Sequence, residues 1–301
     1  MSEWISGLSL ILYATLTCGT PLLYAALGAC FSGKAGVLNV GVEGMMLAGA
    51  FTGAAVAYLT GNPWAGFICG GLTGAYFGIL QATATVCLGL NQIMAGISVI
   101  LLAYAGTGII CSVLFSATET PYLSVAQKIP KLFTGIFDSS TYFGRCMDRV
   151  FATYASTWLV LFLLILAGFI FHRTRFGRQI QVCGEQPRFP FVNGKAVRFL
   201  CIVITGFLAG LGGACATMTV SSRFRLLPMA GQGLVAFAAA VMGRYRLPAV
   251  LPICLLCGFC FGARVAFAGI SGVAHFLSVI PYGVAVLVLI LSARKARGSS
   301  V

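Results

Sequence analysis

The sequence predicts an all-α integral membrane protein with about nine transmembrane helices. Three observations lead there. Of 301 residues, 59% are hydrophobic and 8% are charged, where ordinary soluble domains carry about 25% charge. Mean hydropathy is +0.98. Several apolar runs reach or approach the ~20 residues that a helix needs to cross the hydrocarbon core. The first run follows Met1-Ser-Glu-Trp4 and leads into more membrane sequence without a small-residue cleavage site, so it reads as a span and not as a signal peptide. Residues 1–301 read as one transmembrane domain.

The first span is expected over 7–31, followed by a polar link at Ser32-Gly-Lys34. The second covers 41–59 and ends in Thr60-Gly-Asn-Pro63, a turn by composition. The third, 64–88, carries Gly66, Gly70, Gly74 and Gly78, a spacing that strips one helix face and lets a neighbour approach closely. The link at Leu90-Asn-Gln92 leads to the fourth, 92–115. Residues 116–150 contain Pro121, Lys128, Pro130, Lys131, Asp138, Arg145, Asp148 and Arg149, a mixed-charge aqueous segment. A fifth span covers 151–171. Spans over 199–220, 248–268 and 277–292 follow, with a shorter apolar piece at 231–242. That piece is too short to cross as a straight helix and reads as broken or re-entrant.

Orientation follows from one loop. Residues 172–198 carry six Lys or Arg side chains and only Glu185 against them, and a short loop so basic belongs on the cytoplasmic side. Counting from it puts the N-terminus, 60–63 and 116–150 outside. Lys34, Gly243-Arg-Tyr-Arg246 and the tail Arg294-Lys-Ala-Arg297 fall inside. Trp4 and Trp64 land at outer interfaces, where amphipathic aromatics belong. The net charge of +13 therefore reads as topology and contact with membrane lipid, and no nucleic-acid partner is expected. Twelve cysteines lie mostly within apolar runs. Cys254, Cys257 and Cys260 read as small packing residues, with neither a disulfide framework nor a metal site.

Asn39 and Glu43 stand at helical i, i+4 spacing among glycines in Gly36-Val-Leu-Asn-Val-Gly-Val-Glu-Gly-Met-Met-Leu-Ala-Gly-Ala50. A charged side chain at the centre of a membrane helix costs from about 3 kcal/mol upward, which marks Glu43 as a pathway or packing-network residue. The other reading places it near a membrane face, pairing with Lys34 or capping a helix start. A faint repeat lays 38–50 over 227–239, matching Glu43 to Gln232 and Gly44 to Gly233. In this topology the two halves run oppositely, the arrangement of an inverted repeat whose interrupted helices meet near a midplane site.

The 36–50 stretch resembles the signature of the smaller permease subunit of bacterial nucleoside ABC importers, in the broad group with branched-chain amino acid and simple-sugar permeases. Arg173-Thr-Arg-Phe-Gly177 and Val182-Cys-Gly-Glu-Gln-Pro187 are similar to that family's cytoplasmic loop. Pro21-Leu-Leu-Tyr-Ala-Ala-Leu-Gly28, Gly206-Phe-Leu-Ala-Gly-Leu-Gly-Gly-Ala214 and Gly231-Gln-Gly233 agree as well. Departures are Gln186, where the family commonly has Asn, and Arg188-Phe-Pro-Phe191 in place of an alanine-rich helix. Arg264 also stands inside an apolar span, either snorkelling outward or facing the pathway.

The resemblance implies a permease with no cofactor of its own. The chain has no GxxxxGK[ST] phosphate loop, so ATP would be bound by a separate cytoplasmic ABC ATPase. It further implies a second permease subunit, homologous or identical, and an external solute-binding lipoprotein or periplasmic binding protein. That protein would meet an outer face built partly from 116–150 and 221–231. The loop 173–198 would couple to the ATPase, with Gly177, Arg178, Gly184, Glu185 and Pro187 as candidates. For a nucleoside, amide and carboxylate groups are needed for hydroxyls and base edges, and an apolar face for the base. Asn39, Glu43, Asn91, Gln92 and Gln232 fit the first need, Met45 and Met46 the second. The competing classes are a sugar or branched-chain amino acid permease and an ion-coupled secondary transporter, which also uses inverted repeats with a membrane carboxylate. An enzyme is disfavoured, since the two histidines fall at opposite faces and no nucleophile, base and orienting group converge.

Overall fold

The structure, a computed structural model, describes residues 2–132, 151–185, 194–229, 231–266 and 283. The described helices are α1 (Ser2–Lys34), α2 (Val42–Thr60), α3 (Pro63–Ala82), α4 (Gln92–Phe115), α5 (Ala155–Arg173), α6 (Arg175–Glu185), α7 (Gly194–Cys215), α8 (Leu226–Met229), α9 (Gln232–Met242) and α10 (Leu247–Ala266). Two of them run on through π-helical turns, α3 over Thr83–Cys87 and α7 over Ala216–Ser221. No strand forms among the described residues beyond two isolated bridges. Among the described residues, six helical stretches are long and apolar enough to cross a membrane, and 232–242 and 247–263 are shorter apolar helices. The expected span 277–292 apart from residue 283, the tail 294–297 and the 133–150 part of the polar segment lie outside the described residues. So do Pro187, residues 188–191 and the side chain of Arg264.

Glycine sets how the central helices meet. α3 packs most extensively on α7, with Gly74 against Gly206 and Gly210, and Gly78 against Ile202 and Val203. A Cβ at Gly74 or at Gly213 would collide with a carbonyl of the neighbouring helix, that of Gly206 or of Met46. Small residues therefore bring α2, α3 and α7 backbone to backbone, as membrane helices do when side chains are removed from the contact. α1 packs on α7 and α10, and α4 packs on α2. The turn between α2 and α3 follows its composition. Gly61 takes φ +70°, and Asn62 caps α3 by accepting from Trp64 N at 3.0 Å, with Pro63 at the first helical position.

At one end of the bundle the polar segment and the link before α8 join. Leu123 N donates to Ser222 O at 2.8 Å, and Phe224 N to Thr120 Oγ1 at 2.8 Å. Glu119 pairs with Arg223 at 2.6 Å and Arg225 at 2.9 Å. The two stretches assigned to the outer face by sequence thus form one surface.

Candidate functional site

α2 and α9 begin at the same place. Gly231, with φ +90°, starts α9, a left-handed conformation that glycine adopts without a steric cost. The positive dipole ends of two helices would repel if nothing lay between them. Glu43, in the first turn of α2 and 2% exposed, fills that gap. Its Oε1 accepts from Gly231 N at 2.5 Å and its Oε2 from Leu234 N at 2.9 Å, while Tyr104 Oη donates to Oε1 at 3.5 Å. Every one of these contacts is a donor to the carboxylate. Gly233 makes the approach feasible, because a Cβ there would lie 2.6 Å from Glu43 Cα and 2.8 Å from Oε2.

The depth of this joint can be counted along α4. Tyr104 is near the middle of Gln92–Phe115, twelve residues from Gln92, or about 18 Å at ~1.5 Å per residue. α9 has 11 residues, about 16 Å of helix against a hydrocarbon core of roughly 30 Å. Gly41 lies against Gly96 and Gly44 against Ile100, so α2 starts about one turn inside α4, and two helices begin around one acid, the geometry in which interrupted helices present their N-termini to anionic groups.

The other residues singled out by sequence divide into two groups. Asn39 is fully buried, with Nδ2 4.0 Å from Met45 Sδ and Oδ1 unpartnered among the described residues. Met45 is also fully buried, and Gln232 is half-buried as the first residue of α9. These three share the α2–α9 joint with Glu43. Asn91 and Gln92 instead sit at the start of α4. Asn91 caps that helix by accepting from Ile93 N at 2.9 Å, and Gln92 Oε1 accepts from Leu38 N at 2.8 Å. Gln92 therefore tethers the stretch leading to Asn39.

Sequence reasoning missed two members of the joint. Tyr104 carries no signal beyond being an aromatic in an apolar span. Gln81 has one, since it is a lone amide in the third span. It is fully buried with neither amide atom partnered among the described residues, and a Cβ at Gly41 would collide with its Oε1 and lie 3.4 Å from Asn39 Oδ1. Both amide oxygens thus border Gly41 at the entrance to α2.

At the far end from the polar cap, α6 lies across α1 and α5. It is strongly amphipathic: Gly177, Ile180 and Cys183 are buried, while Arg175, Arg178, Gln179 and Glu185 are exposed. Its seat is set by glycines. A Cβ at Gly177 would collide with Ile170 O, and one at Gly184 with Lys34 O. Thr174 Oγ1 accepts from Gly177 N at 3.1 Å, and Gln181 Nε2 donates to Phe171 O at 3.1 Å. Arg198 of α7 reaches Cys183 O at 3.0 Å and Ala35 O at 3.3 Å. Among the described residues no ion pair joins that exposed face to the bundle.

A multi-pass bundle with a buried polar joint where two helices start and an amphipathic helix across one end fits a membrane transport protein. Comparison with known proteins places it more narrowly. Residues 11–292 match the family described as the branched-chain amino acid transport system permease component, and the chain belongs to that family. It is a permease and not an enzyme. The chain is 29% identical to the nucleoside ABC transporter permease protein NupC of Lactococcus lactis, over 97% of this chain and 95% of that protein. It is 30% identical to the guanosine ABC transporter permease protein NupQ of Bacillus subtilis, over 84% and 81%. It is 31% identical to the putative glucose ABC transporter permease protein TsgC13 of Haloferax volcanii, over 78% and 71%. No solved structure matches.

Proposed function

We propose that this chain is the membrane-spanning subunit of an ATP-driven nucleoside importer in a bacterial cytoplasmic membrane, with its N-terminus outside and C-terminus inside. The meeting of α2 and α9 on the buried Glu43 carries the reading, because a buried polar joint between helix starts is where a solute can be handed across. Nearly full-length similarity to permeases named for nucleosides and guanosine supports the cargo. Asn39, Met45 and Gln232 would border the passage, with Asn91 and Gln92 at the start of α4. Glu43 acts by holding α9 in place beside it.

Family membership implies an ATPase and a substrate-binding protein as partners. The exposed face of α6 would seat on the ATPase through Arg178 and Glu185, and Gly177 and Gly184 would transmit its position to α5 and α1. Pro187 belongs to the same loop. The joined surface of 116–132 and 221–226 would receive the binding protein. α4 supports a second permease subunit, since only 22% of its most apolar stretch is buried within this chain, against 78% for α2. The similarity to a putative glucose permease favours a sugar as the second reading.

Uptake by proteoliposomes containing the chain, its ATPase and its binding protein tests the proposal. Labelled nucleoside should accumulate with ATP inside, and should continue to do so when ion gradients are collapsed by ionophores. Accumulation of glucose but not nucleoside would favour the second reading. Uptake abolished by ionophores with ATP present would overturn ATP-driven import.

A further inference from the structure

The α6 end of the bundle holds a cavity of about 510 Å³ whose lining includes Lys34, His172, Gln181, Glu185, Arg244 and Arg246. Its walls come from the last residue of α1, the last turn of α5, α6, and the turn between α9 and α10. Cations at helix C-termini oppose the negative dipole end, and cations at this membrane face orient the chain. Neither reason requires them to converge on one hollow. Lys34, Arg244 and Arg246 line the same hollow, and with the Lys34 ammonium 3.9 Å over the Phe171 ring, a bound anion would relieve the repulsion among the three.

The chain supplies a single carboxylate to this hollow. It contains six acidic residues. Glu43 is held by α9, and Glu119 is paired with Arg223 and Arg225. Glu3, Asp138 and Asp148 belong to segments assigned to the opposite face. Glu185 remains, alone against Lys34, Arg244 and Arg246, and it makes no ion pair among the described residues. Neither 186–193 nor 267–301 contains an acidic residue. The turn that carries the arginines is also held under strain. Arg244 and Tyr245 are both left-handed, at φ 50° and 55°, and the Tyr245 ring packs so closely on Gly33 that a Cβ there would collide with it. Adjacent side-chain-bearing residues keep such a conformation only when their surroundings enforce it, a pattern concentrated at ligand clamps and functional sites.

We propose that this cavity binds a phosphate-bearing anion, the headgroup of an acidic phospholipid in the adjoining leaflet. The guanidinium fork matches phosphate oxygens in pairs. The cavity opens where the apolar spans α1 and α5 end, the level at which headgroups lie, and basic pockets between membrane helices are headgroup sites. The inference rests on the chain spanning a membrane and not on its cargo.

Native mass spectrometry of the purified full chain, titrated with phosphatidylglycerol, phosphatidylethanolamine or inorganic pyrophosphate, tests it. Phosphatidylglycerol adducts should exceed phosphatidylethanolamine adducts at least fivefold. They should fall at least fivefold in Arg244→Gln/Arg246→Gln, recover in Arg244→Lys/Arg246→Lys, and stay unchanged in Arg178→Gln. Should the Gln pair fail to purify, Lys34→Gln replaces it in the same assay. Equal retention of the two lipids by the unmodified chain, or unchanged phosphatidylglycerol adducts in the Gln pair, overturns the proposal. Pyrophosphate adducts without phosphatidylglycerol adducts overturn the lipid as source and leave soluble phosphate. Loss of ATPase binding in the Gln pair with lipid adducts unchanged assigns the cavity to an acidic partner side chain and overturns it as well.

Discussion

The α2–α9 joint and the cavity beside α6 treat charge in opposite ways. Inside the bundle a single carboxylate is surrounded by donors, with two backbone N–H groups and a phenol directed at it. At the end of the bundle, Lys34, Arg244 and Arg246 face one hollow with Glu185 as the lone acid. The first arrangement is closed within the chain, as burial demands of a charge far from water. The second is left open, which is tolerable only where water, lipid or a partner can reach. Charge satisfied internally marks a joint that must hold its geometry. Charge left unsatisfied marks a face prepared for something outside.

Breaking the closed arrangement should have the largest effect. Glu43→Ala removes the acceptor from several buried N–H groups, each costing about 1–3 kcal/mol when left unpaired. The variant complex should still assemble, and nucleoside uptake in proteoliposomes should fall at least tenfold. Uptake at the unmodified rate would remove Glu43 from the account. Gly177→Val should come next, since even a Cβ there collides with Ile170 O. Lifting α6 from its seat should lower transport-coupled ATP hydrolysis several-fold while the bundle remains folded, measured as ATPase stimulation by loaded binding protein.

Changes to the open face should act on association and leave the joint alone. Arg178→Glu reverses an exposed charge on α6 and should weaken ATPase capture in a pull-down about tenfold, with the melting temperature of the isolated permease unchanged. Full capture would make that arginine dispensable for coupling. The smallest effect is expected from Tyr104→Phe, which removes a 3.5 Å hydrogen bond at the edge of the joint. A net worth of about 0.5–1.5 kcal/mol for such a bond sets an upper limit of roughly tenfold, and an effect near twofold on uptake is expected for one so long. A loss as large as that of Glu43→Ala would mean that the phenol, and not the carboxylate, governs the joint.

Much of the bundle was legible because hydrophobic length and turn chemistry are local. The second and fourth spans fall within a residue or two of Val42–Thr60 and Gln92–Phe115, and the 231–242 piece is the short helix Gln232–Met242. The sixth span was placed too late. α7 begins at Gly194, because Lys195 and Arg198 belong to its helix without belonging to its apolar part. The π-helical ends of α3 and α7 left no mark that periodicity detects. At the joint, the cost of a buried acid made Glu43 visible. Its partners were not, because backbone N–H groups carry no sequence signature and Gln81 meets Gly41 only through tertiary packing.

The central claim is that the Glu43 carboxylate holds the start of α9, and hydrogen exchange at the amides of 231–234 in the assembled permease measures this most directly. These amides should be protected in the unmodified chain and exchange at least tenfold faster in Glu43→Ala, while those of 235–240 change little. Equal exchange in the two proteins would contradict it.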